Sequence, residues 1–496
     1  MDSQSEKQYT VRNWIGLILG PLLFALTFFF IPQDLLAYEP RIVLGVTLLV
    51  ATYWVTEPVP LPVTSLIPLI LIPAFYGVDI ETIAPAYTNP VIFMYGGGFV
   101  IALAIEKWDL HRRIALNIIK MIGSESNRMI LGILIATAGI SMFVSNAATA
   151  LMMLPVAVAL INEVRDKSIL EGENLKKFSK GILLTVAYSA TIGGLATLVA
   201  AVPNALLAGI ASSQLDREIT FAQWLFFAGP LALVMLIILY FYLTKVQFKV
   251  DKSDEKSGTM DFIDDELDDL GKFNSDEMKV AAVFLITVSL WILSPFIISI
   301  PFIPEPVGIF FEGLHDGTIA IFGAVMLFFL PSSKKGERIL AWKDMKELPW
   351  GVLLLFGGGM SLAEAFGASG LNESIADVLG LLEGLEYIFI LLLLVVFVLS
   401  ITEILSNTAV SNLVLPLTVG LGIAVGVDPL PLMAGAALAA GSCYMLPVAT
   451  PPNTAVFSAG YLTVGDMAKA GVWLNIISVI VITLAVYFWM PVIFDF

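Results

Sequence analysis

Two polar tripeptides sit inside long apolar runs, and their chemistry needs a reason. Ser145-Asn146-Ala147 recurs as Ser406-Asn407-Thr408, 261 residues further on, and a proline follows each Ser after ten residues (Pro155, Pro416). The triplet Gly96-Gly97-Gly98 returns as Gly357-Gly358-Gly359 at the same spacing of 261. Two unrelated motifs sharing one offset indicate an internal duplication. A Ser-Asn pair in hydrocarbon costs free energy unless it is hydrogen-bonded or put to use. Amide and hydroxyl oxygens are hard ligands suited to Na⁺, and their N–H and O–H groups suit an anion. The bland alternative is that Ser and Asn only cap half-helices and hold a tip together. Duplication beside a broken helix favours function.

Each motif is followed by a stretch that cannot be one regular helix. The first holds Gly193-Gly194 and then Ala200-Ala201-Val202-Pro203-Asn204; the second holds Pro447-Val448-Ala449-Thr450-Pro451-Pro452-Asn453. Internal prolines remove backbone donors, and irregular backbone at membrane depth persists only where protein or a water-filled cavity satisfies it. Four half-helix ends are thus expected at one midplane site. No Lys, Arg or His lies deep in the expected spans, so an anion there is held by hydroxyls, amides, backbone N–H groups and helix N-termini. Ser141 and Thr402 stand one helical turn before each Ser-Asn pair, facing the same ion cavity or bonding back to a carbonyl four residues earlier. Glu403, matched by Met142 in the first copy, is either a cation or proton ligand or the partner of a neighbouring polar group. Glu364 reads as a helix-packing hydrogen bonder. The glycine triplets lack the Lys and Ser/Thr of a phosphate loop and read as close helix packing. His111 has no companion for a metal.

The elements that must position these residues follow from composition. The 496-residue chain is 58% hydrophobic and 14% charged, with a mean hydropathy of +0.89. Soluble domains carry about 25% charged residues, so the expected fold is an all-α polytopic membrane protein. Crossings are expected near 14–32, 43–56, 61–78, 90–105, 181–211, 221–244, 279–300, 317–330, 350–366, 430–459 and 470–493. The runs 129–161 and 387–425 are too long for one crossing and carry their motifs midway. Basic residues flank the first run on both sides, whereas 367–386 and 426–429 contain none, so each is expected to be a re-entrant hairpin, entering from opposite faces. On that arrangement only Arg41 and Arg217 of the 26 Lys and Arg fall outside the cell. The N-terminus is then cytoplasmic, the C-terminus extracellular, and the repeat inverted. The expected division is scaffold helices (1–105), a first transport unit (106–247), an acidic cytoplasmic loop (248–278), second scaffold helices (279–367) and a second transport unit (368–496). Leu110–Ile122 and Leu371–Leu382 read as helices on the two membrane surfaces. The net charge of −16 owes much to Asp251–Glu277, read as a mobile loop. The single Cys443 cannot form an intrachain disulfide.

Together these motifs resemble the divalent anion:sodium symporter family of di- and tricarboxylate transporters. The likeness spans nearly the whole chain and includes Trp54-Val55-Thr56-Glu57, the run Glu106–Arg113, both Ser-Asn motifs and Pro451-Pro452-Asn453. It implies a homodimer whose transport domain moves as an elevator against a scaffold. It implies small dicarboxylate anions of the succinate, malate, fumarate and 2-oxoglutarate class as substrates, with no cofactor beyond a coupling Na⁺. The implied substrate residues are Ser145, Asn146, Thr149, Ser406, Asn407, Thr408, Pro203, Thr450 and Pro451. Sodium is implied near Thr402, Asn407 and Ala449, and in the first half near Ser141, Asn146 and Gly194.

The chain departs from the family pattern in its first half, where Ala147 and Ala201 replace hydroxyl residues and Ala200 replaces a glycine. On that ground, dicarboxylate exchange without sodium at the first tip is the expectation, with Na⁺-coupled symport as the alternative. An anion channel would want a polar stripe along several spans, and polarity here is confined to one depth. An enzyme would want a His, Cys or acid pair at that depth. A bilayer is the expected surroundings, and nucleic acid is not a partner.

Overall fold

The architecture comes from a computed structural model that describes residues 9–123, 125–249, 261–298, 302, 304–379 and 384–494. The described residues are almost entirely helical. Among the described residues nine helices are long and apolar enough to cross a membrane, or ten if the bent pair Glu305–Glu312 and Asp316–Phe329, at 88°, is counted as one span. The protein is an all-α polytopic membrane protein.

After a leading helix, Val11–Phe30, two series of elements follow in the same order. The first runs through Tyr38–Thr56, the glycine span Pro90–Lys107 and a surface helix, Leu110–Ile122. It continues with a hairpin (Ser126–Ser141, Asn146–Asp166), a broken span (Gly172–Leu195, Val202–Gln214) and Phe221–Phe241. The second runs through Ser275–Ile298, the bent pair, the glycine span Trp350–Ser369 and the surface helix Leu371–Leu379. Its hairpin (Tyr387–Thr402, Asn407–Val425) and broken span (Pro429–Ala440, Pro451–Ser458) precede Val464–Leu484. The duplication read at one offset is therefore a duplication of elements. Thr10 with Asn13, Thr220 with Gln223 and Thr463 with Asp466 close capping boxes that start three of the long helices.

The glycine triplets are packing surfaces. A Cβ on Gly97 would lie 2.6 Å from the Ala320 backbone, and one on Gly358 would lie 2.5 Å from the Ser65 side chain. Large side chains such as Phe389, Leu393 and Phe397 point outward, the arrangement a bilayer requires.

Two expectations need correction. The crossing expected over 61–78 is two short helices, Leu61–Thr64 and Ile67–Ala74, with Pro68, in the first turn of the second, having no N–H to donate across the junction. The acidic segment is not a loop throughout. Asp261–Asp269 is a helix, with Ile263 fully buried beneath it. It is held by Arg112 on Glu266 and by Lys120 on Asp264 at 2.5 Å. Just beyond it, Arg113 grips Glu277 with two nitrogens at 2.6 and 3.1 Å and donates to the Leu270 and Gly271 carbonyls. Residues 250–260 of the expected loop lie outside the described residues.

Candidate substrate and ion site at the hairpin tips

Each hairpin tip gathers oxygen acceptors around one hydroxyl. At the first tip the Ser141 hydroxyl lies 2.9 Å from Asn146 Oδ1 and 2.7 Å from the Ala190 carbonyl. At the second, the Thr402 hydroxyl lies 2.8 Å from Asn407 Oδ1 and 3.0 Å from the Ala440 carbonyl. Amide and carbonyl oxygens each carry two lone pairs, so one hydroxyl hydrogen at the first tip, and one with the Cys443 S–H at the second, leave acceptor capacity over. A surplus of hard acceptors is what a small cation needs, and the residues present fit Na⁺. Ser141 and Thr402 are thus equivalent in the structure as in the sequence.

The first cluster depends on a glycine. A Cβ at Gly194 would stand 2.0 Å from Asn146 Oδ1. The corresponding residue of the second half, 249 positions on, is Cys443, whose Sγ lies 3.2 Å from Asn407 Oδ1 and 3.9 Å from the Ala449 carbonyl. The same offset of 249 relates Asn204 to Asn453.

Backbone groups freed at the breaks have named partners. Asn204 Nδ2 donates to the carbonyls of Gly194, Leu195 and Thr197 at 3.2, 3.2 and 2.8 Å, and Trp224 Nε1 reaches Leu195 O at 3.1 Å. The Thr197 hydroxyl donates to the Met142 carbonyl and ties break to tip. In the second half Asn453 Nδ2 donates to Leu446 O at 3.0 Å, and Tyr188 OH crosses from the first half to Tyr444 O at 2.9 Å. Glu403 accepts from the Tyr444, Met445 and Leu446 amides and from Asn475 Nδ2. Of the two readings left open for Glu403, the structure shows the polar partners.

The remaining sequence candidates divide by exposure. Ser145, Asn146, Asn407 and Thr408 are half-buried, and Ser406 and Pro451 are exposed. Ser145 Oγ also caps its half-helix, accepting from the Ala148 amide at 3.3 Å. Thr149 is fully buried, its hydroxyl turned to Val144 O at 3.5 Å. Pro203 is buried at the start of its half-helix. Thr450 is buried, and its hydroxyl accepts from the Asn453 amide at 3.2 Å as a helix cap. Glu364 is half-buried. His111 is buried with Nδ1 3.2 Å from Ile105 O, and no group of three metal-ligating side chains occurs among the described residues. Sequence reasoning missed Tyr188, Thr197 and Asn475. It also passed over Cys443 as an ion-site neighbour, which the 249-residue offset from Gly194 would have found.

This duplicated pair of tips and breaks coincides with a family match over residues 11–494, described as the sodium:sulfate symporter transmembrane region. The chain belongs to that family, the divalent anion:sodium symporters. It is 41% identical over 494 residues to a protein of Staphylococcus saprophyticus named sodium-dependent dicarboxylate transporter SdcS, covering 99% of this chain and 94% of the relative. The same-named protein of a bovine Staphylococcus aureus strain is 42% identical over 496 residues, with the same coverage of 99% and 94%. Two solved structures share the fold at low identity. The YdaH transporter of Alcanivorax borkumensis aligns with a TM-score of 0.57 and 16% identity, over 83% of this chain and 87% of its own. The MtrF protein of Neisseria gonorrhoeae aligns at 0.54 and 13%, over 94% of this chain and 96% of its own.

Proposed function

We propose that this protein carries dicarboxylates of the succinate class across the cell membrane by Na⁺-coupled symport. The observation that carries the reading is the pair of matching acceptor-rich clusters, one at each tip, in a member of a sodium symporter family. The relatives' names, sodium-dependent dicarboxylate transporter, agree with both the coupling ion and the substrate class.

The expectation of exchange rests on hydroxyls missing from the first half at Ala147 and Ala201. The counterpart of Ala201 is Thr450, whose hydroxyl caps a half-helix. The loss at Ala201 therefore removes a cap and leaves the cluster of Ser141, Asn146 and Ala190 O complete. Likewise a glycine that allows close approach to Asn146, Gly194, is present in the first half. Ser141, Asn146 and the Ala190 carbonyl meet at the first tip despite the alanines at 147 and 201, so symport is the better reading. Na⁺ supplies charge balance for the dianion, while the tips' Ser, Asn and Thr groups orient its carboxylates through N–H and O–H donors.

We read the mechanism as alternating access between inverted halves, with the hairpins re-entrant and the assembly a homodimer moving as an elevator. The tips differ in one respect that supports this. Asn412 on the second hairpin is buried against Gly359, so close that a Cβ there would meet its oxygen at 1.7 Å. The first-half counterpart of Asn412, 261 residues earlier, is Leu151, which is 59% exposed. The second hairpin is docked on its glycine span and the first is not, as a carrier open on the first hairpin's cytoplasmic side would be.

The test is uptake of labelled succinate into proteoliposomes. Symport predicts accumulation driven by an inward Na⁺ gradient with no dicarboxylate inside. Uptake that ignores sodium and needs an internal dicarboxylate would establish exchange instead.

A further inference from the structure

The two breaks are unequal in length. Six residues, 196–201, separate the half-helices of the first broken span, and ten, 441–450, separate those of the second. Four further residues have therefore left the helical ladder in the second half. Unwinding frees backbone N–H groups, and buried ones must find acceptors. Those of Tyr444, Met445 and Leu446 find one: the carboxylate of Glu403, at 2.9 to 3.3 Å. Asn475 Nδ2 closes the same carboxylate from another helix at 2.6 Å. All four groups are donors, the complement of a carboxylate that accepts at both oxygens. In the first half Met142 stands where Glu403 does and contributes only its carbonyl, to the Thr197 hydroxyl.

From this we infer that Glu403 is a positioning residue that holds the second break unwound and gives the second tip a resident negative charge. The carboxylate replaces the helix as partner of three consecutive amides. Its neighbour Thr402 and the unwound Cys443 both touch Asn407 Oδ1, at 2.8 and 3.2 Å. The carboxylate thus belongs to the residue after Thr402 and accepts from the amide of the residue after Cys443. A cation at the second tip feels that buried charge, whereas Met142, in the equivalent place at the first tip, is neutral. The second tip is accordingly the higher-affinity sodium site and fills first. The carboxylate also occupies a concavity of N–H groups that would otherwise attract a substrate carboxylate.

The inference rests on sodium binding at the tips, and one experiment separates the two ideas. Purified full-length protein is titrated with NaCl, with choline chloride holding ionic strength constant. Melting temperature and hydrogen exchange of 441–450 are followed without substrate. Wild type is expected to gain melting temperature and amide protection with sodium. Glu403→Gln replaces an acceptor with a donor and removes the charge. It should raise the sodium half-saturation by about tenfold and speed or redistribute exchange at 444–446 even without sodium. Glu403→Asp keeps the charge on a shorter arm and should recover part of the sodium affinity. If Glu403→Gln does not fold, Asn475→Ala removes one donor and should raise half-saturation less. No sodium response in wild type sinks the functional reading. A normal wild-type response with unchanged half-saturation in the variants overturns the role of Glu403.

Discussion

Gly194→Ala tests the first tip with a single methyl group. Position 194 lies in the helix Gly172–Leu195, so the backbone accepts alanine, and the damage is confined to what the methyl meets. It meets Asn146, at 2.0 Å from Oδ1 and 2.7 Å from Cγ and Nδ2. Non-bonded approaches under 3.0 Å to a Cβ essentially do not occur, so the amide must retreat by about 1 Å. Its oxygen then leaves the Ser141 hydroxyl, now at 2.9 Å, and the cluster loses a member. An interaction with a charged partner is worth about 1.5–3 kcal/mol. At about 1.4 kcal/mol per tenfold, sodium half-saturation should rise about 10- to 100-fold.

The assay is sodium-dependent succinate uptake in proteoliposomes, beside sodium-dependent melting of purified protein. Gly139→Ala is the control, since nothing lies within 4 Å of its Cβ on the same hairpin. It should leave sodium dependence unchanged and favour the helix by about 0.5–1 kcal/mol. Unchanged sodium half-saturation in Gly194→Ala, with sodium-free melting equal to wild type, would refute a cation site built on Asn146.

Asn146→Ala and Asn407→Ala should each abolish transport with expression and monodispersity retained; uptake within twofold of wild type in both would reduce these residues to helix caps. Cysteines introduced at Lys167 and Gly384 should react with an impermeant thiol reagent from opposite sides of the membrane, and same-side labelling would end the inverted-repeat topology. Arg113→Gln strands the Glu277 carboxylate, only 4% exposed, beneath the surface helix. Breaking such a pair costs about 3–5 kcal/mol, so the melting temperature should fall while sodium half-saturation stays at its wild-type value.

What sequence could reveal depended on the distance over which each interaction acts. The duplication was legible because a constant offset survives divergence, and it located Ser141, Asn146, Thr402 and Asn407 in equivalent places. The breaks were legible because Pro203 and the Pro451-Pro452 pair forbid a continuous ladder. The partners of Glu403 were not. They lie 41 to 72 residues away and three of the four are backbone amides, which no residue type announces. The helix at Asp261–Asp269 was hidden by its own acidity, although Ile263 and Leu267 within it and Leu270 just after it recur at helical spacing. Composition spoke of solvation where periodicity spoke of a packed face.

The two halves answer unwinding with opposite chemistry. In the first, the described partners at the break are donors, Asn204 Nδ2 and Trp224 Nε1, which satisfy freed carbonyls. In the second, a carboxylate satisfies freed amides as well. A neutral solution and a charged one have thus been reached from one ancestral arrangement. Glu403 belongs to the second hairpin and grips the second break, so it stays with the tip it serves in every position of that tip. A charge carried equally in loaded and empty states drops out of the net charge transported per cycle. It changes the affinity of the second site and the order in which the sites fill, and leaves the ratio of sodium to substrate untouched. On the proposed symport, the coupling ratio is then set by the oxygen clusters and not by Glu403.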